Sequence, residues 1–153
     1  MTSSTVFSSP VGPLTLEGGD NALTRLGFTA PSSPSVDGEH AFEATVAQLE
    51  EYFAGERTAF DVSLEFAGTA FERRVWHEVR AIPYGQTVTY AEIARRVGSP
   101  SACRAVGRAN GRNPIAVIVP CHRVIGSDGS LTGYAGGIEM KRALLDLERR
   151  AAE

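Results

Sequence analysis

The feature that most constrains this chain is Ile115-Ala116-Val117-Ile118-Val119, an unbroken apolar run that stops on Pro120-Cys121-His122-Arg123 before Val124 and Ile125. β-Branched and small apolar residues in succession predict a strand covered on both faces. A proline, which has no N–H for a ladder, predicts where regular pairing ends. The fold must therefore cover this segment on two sides and release it just beyond. Cys121 is delivered at that exit, next to an imidazole and a guanidinium, groups that pull a thiol pKa below ~8.5 and make it a nucleophile. The other reading of Cys121 is a small buried hydrophobe, since free cysteine is among the most buried residue types. On an extended strand neighbouring side chains face opposite ways. His122 can then serve Cys121 only if the backbone turns between them or a water bridges the two.

Ahead of this segment the chain changes character twice. Thr5–Phe7, Leu14–Leu16 and Leu23–Phe28, separated by turns at Pro10–Pro13 and Gly18–Asn21, predict an antiparallel meander. A Pro- and Ser-rich loop over Thr29–Gly38 follows. Phe42, Val46, Leu49 and Phe53 then share one face of a helix from Glu39 to Ala54, and a short strand is expected at Phe60–Leu64. Thr69 with Glu72 is a capping box that opens a second helix, with Phe71, Val75, Val79 and Ile82 inward and Trp76 in the core, ending at Pro83. Thr89 with Glu92 repeats the signal ahead of Tyr90, Ile93, Ala94 and Val97. Gly98 stops that helix, and Ser99-Pro100 should start another that runs to Ala109. Helix, glycine turn, helix is the outline of a helix-turn-helix. A last helix begins near Ile138, with Met140, Ala143, Leu144 and Leu147 inward and Glu148 in the same stripe region.

Charge divides the chain in the same place. Residues 1–68 hold two basic against ten acidic side chains, a net −8, while residues 69–153 hold thirteen against eight, a net +5. Between Ala91 and Val124 stand six arginines, Arg95, Arg96, Arg104, Arg108, Arg112 and Arg123, and one acid, Glu92. A localised basic stretch on an acidic protein suits a polyanion such as nucleic acid; a solvated mixed-charge surface is the plainer account. With 153 residues and 42% hydrophobic side chains there is room for one ordinary domain or two small ones. No stretch is long and apolar enough to cross a bilayer and no leader precedes the first strand, so a cytoplasmic protein without membrane partners is expected. Two cysteines without a paired framework agree with a reducing compartment.

In order and spacing, Ile82-Pro83-Tyr84-Gly85, Arg104-Ala105-Val106-Gly107, Asn113-Pro114, Pro120-Cys121-His122-Arg123-Val124 and Gly133-Tyr134-Ala135-Gly136-Gly137 with Lys141 resemble the O6-alkylguanine-DNA alkyltransferases. The likeness runs from Thr69 nearly to the C-terminus and is weak before it. It implies an α+β fold: a small N-terminal antiparallel sheet plus helix, ribonuclease H-like, over residues 1–66, and a mostly helical domain over 67–153 carrying a winged-helix-like helix-turn-helix. It implies one irreversible transfer of an alkyl group from guanine O6, or thymine O4, in duplex DNA to Cys121, with no cofactor.

In that family's terms His122 takes the thiol proton through a water, Glu148 orients the imidazole, and Asn113 is a hinge. Tyr134 would donate to the leaving guanine. Arg104 would fill the space left by the flipped nucleotide, and Tyr90 would press on its phosphate. Ala102, Ala105, Val106 and Ala109 would permit close approach to the minor groove, with Arg123 a further DNA contact. Val124, Ala135, Gly136 and Gly137 would line the base pocket. Zinc is not expected, because residues 1–68 offer only His40 and no cysteine. Cys103 is expected to pack its helix. A monomer is expected, with cooperation between copies on DNA left open. Two other classes fit parts of the pattern: a non-catalytic module that flags alkylated guanine, and a cysteine hydrolase using Cys121 and His122.

Overall fold

The computed structural model describes residues 3–19, 22–30 and 42–152. Its first part is the expected meander, β1 (Ser3–Ser9), β2 (Gly12–Gly18) and β3 (Leu23–Gly27), antiparallel in the order β1-β2-β3. Helix α1 (Glu43–Phe53) closes on the sheet, with Phe53 stacked on Phe7 at 6.1 Å. Phe42 and Leu49 of its predicted stripe are buried, joined by Tyr52. The predicted helix start at Glu39, most of the Thr29–Gly38 loop and part of the Gly18–Asn21 turn lie outside the described residues.

The outer edge of β3 joins the two parts. Leu23 N–H donates to Ser63 O at 2.9 Å and Glu65 N–H to Leu23 O at 3.0 Å, while Leu26 N–H donates to Pro114 O at 2.8 Å and Ala116 N–H to Leu26 O at 2.9 Å. Each is a single bridge, so the strand predicted at Phe60–Leu64 shrinks to Leu64 and that predicted at Ile115–Val119 shrinks to Ile115. The run is buried as expected, but it is coiled. Val117 takes φ +70°, Ile118 N–H donates to Ala116 O at 2.8 Å and Val119 N–H returns to Ile115 O at 3.0 Å. A β-branched residue at positive φ costs on the order of 1–3 kcal/mol, which the surrounding packing has to hold.

The second part is mostly helical. Thr69 and Glu72 form the full capping box of α2 (Ala70–Arg80), each hydrogen bond 3.0 Å long. Trp76 on its buried face donates Nε1–H to Ala109 O at 2.8 Å. A helix-turn-helix follows β4 (Val88–Thr89), made of α3 (Tyr90–Arg96) and α4 (Cys103–Gly111) with Gly98 at φ +79° between them. Two local expectations change here. Thr89 Oγ1 accepts from Glu92 N–H at 3.1 Å, but the Glu92 carboxylate turns to Arg95 and Arg96 instead of closing the box. Helix α4 starts at Cys103 and not Pro100, because Ser99 O is taken by Ala102 N–H at 2.8 Å in a separate turn. Strand β5 (Val124–Ile125) pairs parallel with β4, and α5 (Ile138–Ala152) buries Lys141, Leu144, Leu145 and Glu148.

Candidate active site

Pro120 leads into one turn of 3-10 helix over Cys121–Arg123, closed by Arg123 N–H to Pro120 O at 2.9 Å. This is the turn that a strand reading could not supply, and it sends Cys121 to a cavity and both His122 and Arg123 to Glu148. His122 is fully buried, with Nε2 2.7 Å from Glu148 Oε2 on α5. Arg123 also turns inward: Nε meets Glu148 Oε1 at 2.8 Å, Nη2 meets Oε2 at 2.9 Å, and Nη1 donates to Ile82 O at 2.7 Å. Its expected role as a DNA contact is therefore corrected, since a guanidinium 6% exposed and engaged on three nitrogens has no reach to a phosphate.

Glu148 is the hub of this seam. Besides His122 and Arg123 it accepts from Tyr52 Oη of α1 at 2.6 Å and from Gly85 N–H at 3.3 Å. Gly85 sits at φ +78°, a conformation that glycine adopts without cost, and so turns its N–H toward the carboxylate. Burial would raise the Glu148 pKa, but the hydrogen bonds from His122 and Arg123 outweigh it and bring it from 4.5 to about 2. An ionised carboxylate only accepts, so the His122 proton must lie on Nε2. Burial holds the imidazole pKa below its usual 6.5 despite Glu148. His122 is thus neutral, with Nδ1 as its basic nitrogen, buried and without a hydrogen-bond partner among the described residues.

Cys121 is 6% exposed and lines a cavity of about 310 Å³ with Leu26, Phe28, Asn110, Asn113 and Tyr134. Burial raises the thiol pKa, opposed by a hydrogen bond from Asn113 and by the charge of Lys141. Burial prevails and the thiol sits above its ordinary pKa, so the lowering expected from His122 and Arg123 is corrected; what pulls the other way is chiefly Asn113 and Lys141. Asn113 Nδ2 donates to Val119 O at 2.8 Å and Oδ1 accepts from Ile115 N–H at 3.0 Å, clamping both ends of the coiled run. Lys141 is fully buried, donating to Val124 O at 2.7 Å and Thr132 O at 2.9 Å. The Tyr134 hydroxyl is buried with no hydrogen-bond partner among the described residues, and burial followed by the Cys121 charge holds its pKa far above 10, so it remains a donor. Of the other expected lining residues, only Ala135 faces the cavity. Val124 is fully buried and does not line it, and Gly137 N–H donates to Tyr134 O at 2.9 Å. Gly136 is needed for packing: a Cβ there would lie 2.5 Å from Met140 Sδ and 3.1 Å from Phe28.

The cavity shares Gly111, Gly133, Tyr134 and Ala135 with an open groove of about 540 Å³ that runs along α4 past Tyr90, Cys103, Arg104 and Gly107. Arg104 is exposed and pairs with no carboxylate among the described residues. Tyr90 donates to Thr132 O at 3.1 Å at the groove's edge. The face of α4 turned to the groove is Cys103, Arg104, Gly107 and Gly111; Ala102 and Ala105 are half-buried beside it. Val106 and Ala109 are buried in the core, so their expected place at the DNA is corrected. Cys103 is exposed, which corrects its expected packing role. Tyr52, Asn110 and Phe28 escaped the sequence reading. Only the helical spacing of Tyr52 with Leu49 hinted that it was buried.

A thiol lining a cavity that opens along the second helix of a helix-turn-helix places a nucleophilic atom beside a motif of the DNA-binding class. Comparison narrows the class. Residues 70–150 match the profile of the 6-O-methylguanine DNA methyltransferase DNA binding domain and residues 3–66 that of its ribonuclease-like domain. A methylated-DNA--protein-cysteine methyltransferase of Mycobacterium tuberculosis is 55% identical over 151 residues, 95% of this chain and 92% of the relative; one from Methanosarcina acetivorans is 51% identical over 150 residues, 94% and 96%. The M. tuberculosis OGT solved in complex with DNA superposes with a TM-score of 0.92 at 54% identity, covering 97% of this chain and 93% of that one. This chain belongs to the 6-O-methylguanine DNA methyltransferase family.

Proposed function

We propose that this protein reverses DNA alkylation directly, moving the alkyl group from guanine O6, and from thymine O4, onto its own Cys121 in a single turnover. The observation that carries this reading is one continuous path: an arginine-bearing groove on α4 opens into a cavity whose floor is Cys121, beside a neutral His122 oriented by Glu148. Residues 67–153 would bind duplex DNA and perform the transfer, with residues 1–66 as the wall behind it. The protein acts as a monomer in the cytoplasm, and among the described residues no helix is long and apolar enough to cross a membrane.

The chemistry balances without a cofactor. His122 Nδ1 takes the thiol proton through a bridging water, and Glu148 stabilises the imidazolium. The sulfur attacks the alkyl carbon, the carbon–oxygen bond breaks, and its electron pair leaves on guanine. Tyr134 Oη donates a hydrogen bond to the departing base. The nucleotide has to leave the stack first, at a cost of a few kcal/mol, and Arg104 would occupy the gap. The product is a thioether that no group in the protein reverses.

Incubation with a duplex containing one O6-methylguanine is expected to add one methyl per protein on the peptide holding Cys121, and none in Cys121→Ser. Turnover beyond one equivalent would sink the proposal. Arg104→Ala should slow transfer from duplex far more than from free alkylated base.

A further inference from the structure

The cavity around Cys121 holds a polar atom that the transfer chemistry does not use. Asn110, at the end of α4, is 3% exposed and lines the cavity with Cys121 and Tyr134. Its Nδ2 donates to Cys121 O at 3.3 Å, so the amide orientation is fixed by chemistry: a carbonyl accepts, and only the nitrogen end can face it. The other end, Oδ1, is buried with no hydrogen-bond partner among the described residues. A buried acceptor left unpaired is costly, and such groups mark places where a ligand completes the hydrogen bonding. The same cavity holds the converse group, the Tyr134 hydroxyl, a donor that lacks an acceptor among the described residues.

A substrate that satisfies both must bring an acceptor and an N–H donor into one small planar ring. O6-alkylguanine offers several acceptors but only one N–H donor group, the exocyclic 2-amino, because alkylation at O6 removes the proton from N1. O4-alkylthymine offers acceptors alone. We propose that Asn110 Oδ1 accepts from the 2-amino group of the extruded guanine, and so biases this site toward O6-alkylguanine over O4-alkylthymine. This rests on the alkyl-transfer reading above and adds the residue that selects the base. A site built to pair a substrate N–H rejects the analogue that lacks it, since its own acceptor is then stranded.

The test compares duplexes carrying O6-methylguanine or O6-methylhypoxanthine, which differ only by the 2-amino group, in single-turnover methylation of Cys121. The wild-type protein is expected to favour the guanine by about 10- to 100-fold. In Asn110→Ala and Asn110→Leu that ratio should fall toward one, and the ratio of O6-methylguanine to O4-methylthymine should fall with it. A purely structural Asn110, tying down Cys121 O, would slow both substrates alike and leave the ratio intact, which overturns the proposal. Equal wild-type rates on the two purines overturn it too, whether or not the variants fold. Should neither duplex methylate wild-type Cys121, the transfer reading itself fails, a result distinct from a lost preference.

Discussion

Glu92 and Glu148 each accept hydrogen bonds from arginine, one on the surface of α3 and the other in the seam between the two parts of the chain. Glu92 takes Arg95 and, at 2.9 Å, Arg96, with its side chain 29% exposed. Glu148 takes Arg123, His122 and Tyr52 with its side chain 1% exposed. In water a carboxylate–guanidinium pair competes with solvent and is worth little. In the seam it cannot dissociate without stranding a charge. The buried cluster therefore fixes geometry, the exposed one only tunes charge, and a sequence that shows Glu near Arg does not reveal which is which.

Removing the buried charge should give the largest effect. Glu148→Gln keeps the shape but puts an amide against Arg123 and His122; a loss of about 3–5 kcal/mol in urea unfolding is expected, and single-turnover transfer should drop by about 10²- to 10⁴-fold. Near-normal rates would mean that His122 is oriented by something else. Acid should expose the same charge. The Glu148 pKa is depressed, from 4.5 to about 2, so its contribution is complete above pH 4.5 and is lost as pH falls from there to about 2. His122, held below 6.5, adds in the same direction, with its contribution present above that pH and lost on acidification. The urea midpoint of the wild type should thus fall more steeply below pH 4.5 than that of Glu148→Gln. Parallel curves would refute the ionised hub.

A smaller effect is expected from the far side of the hub. Tyr52 reaches Glu148 from α1, and Tyr52→Phe deletes one hydrogen bond to a charged acceptor that retains its others, at about 1.5–3 kcal/mol of stability. Glu148, relieved of one donor, becomes a stronger base and raises the His122 pKa. The acid limb of the transfer rate should therefore move to higher pH. A stability loss with an unmoved pH profile would make Tyr52 packing alone.

What the sequence showed and hid follows the same divide between local and distant causes. The Thr69 capping box, the Gly98 stop and the Pro120 exit depend on neighbours a few residues apart, and all are present. Ile115–Val119 was readable as buried but not as coiled, because apolarity reports cover and not φ, and Val117 is held at +70° by its surroundings. Arg123 counted as basic surface until Glu148, 25 residues away, was placed against it. Tyr52 lies 96 residues from Glu148, beyond any spacing rule. On α4 the small residues were chosen by size; the face decided otherwise. Cys103, Gly107 and Gly111 at four-residue intervals meet the groove, Val106 and Ala109 meet the core, and Asn110 meets the Cys121 cavity.

The exposed cluster gives the smallest expected change and the sharpest contrast. Arg95 and Arg96 lie on α3 of the helix-turn-helix, yet Glu92 holds both and is held in turn, its carboxyl kept below the usual 4.5 by the hydrogen bonds from Arg95 and Arg96. Glu92→Gln should leave folding and the transfer rate on saturating DNA unchanged, because none of its partners touches the Cys121 cavity. It also removes the counter-charge that competes with phosphate for two guanidiniums. Non-specific duplex affinity should then rise, and the slope of log affinity against log salt should steepen by about one to two, one increment of ~0.9 for each phosphate newly met. An unchanged slope would place Arg95 and Arg96 off the DNA, leaving Arg104 and its groove to carry the contact.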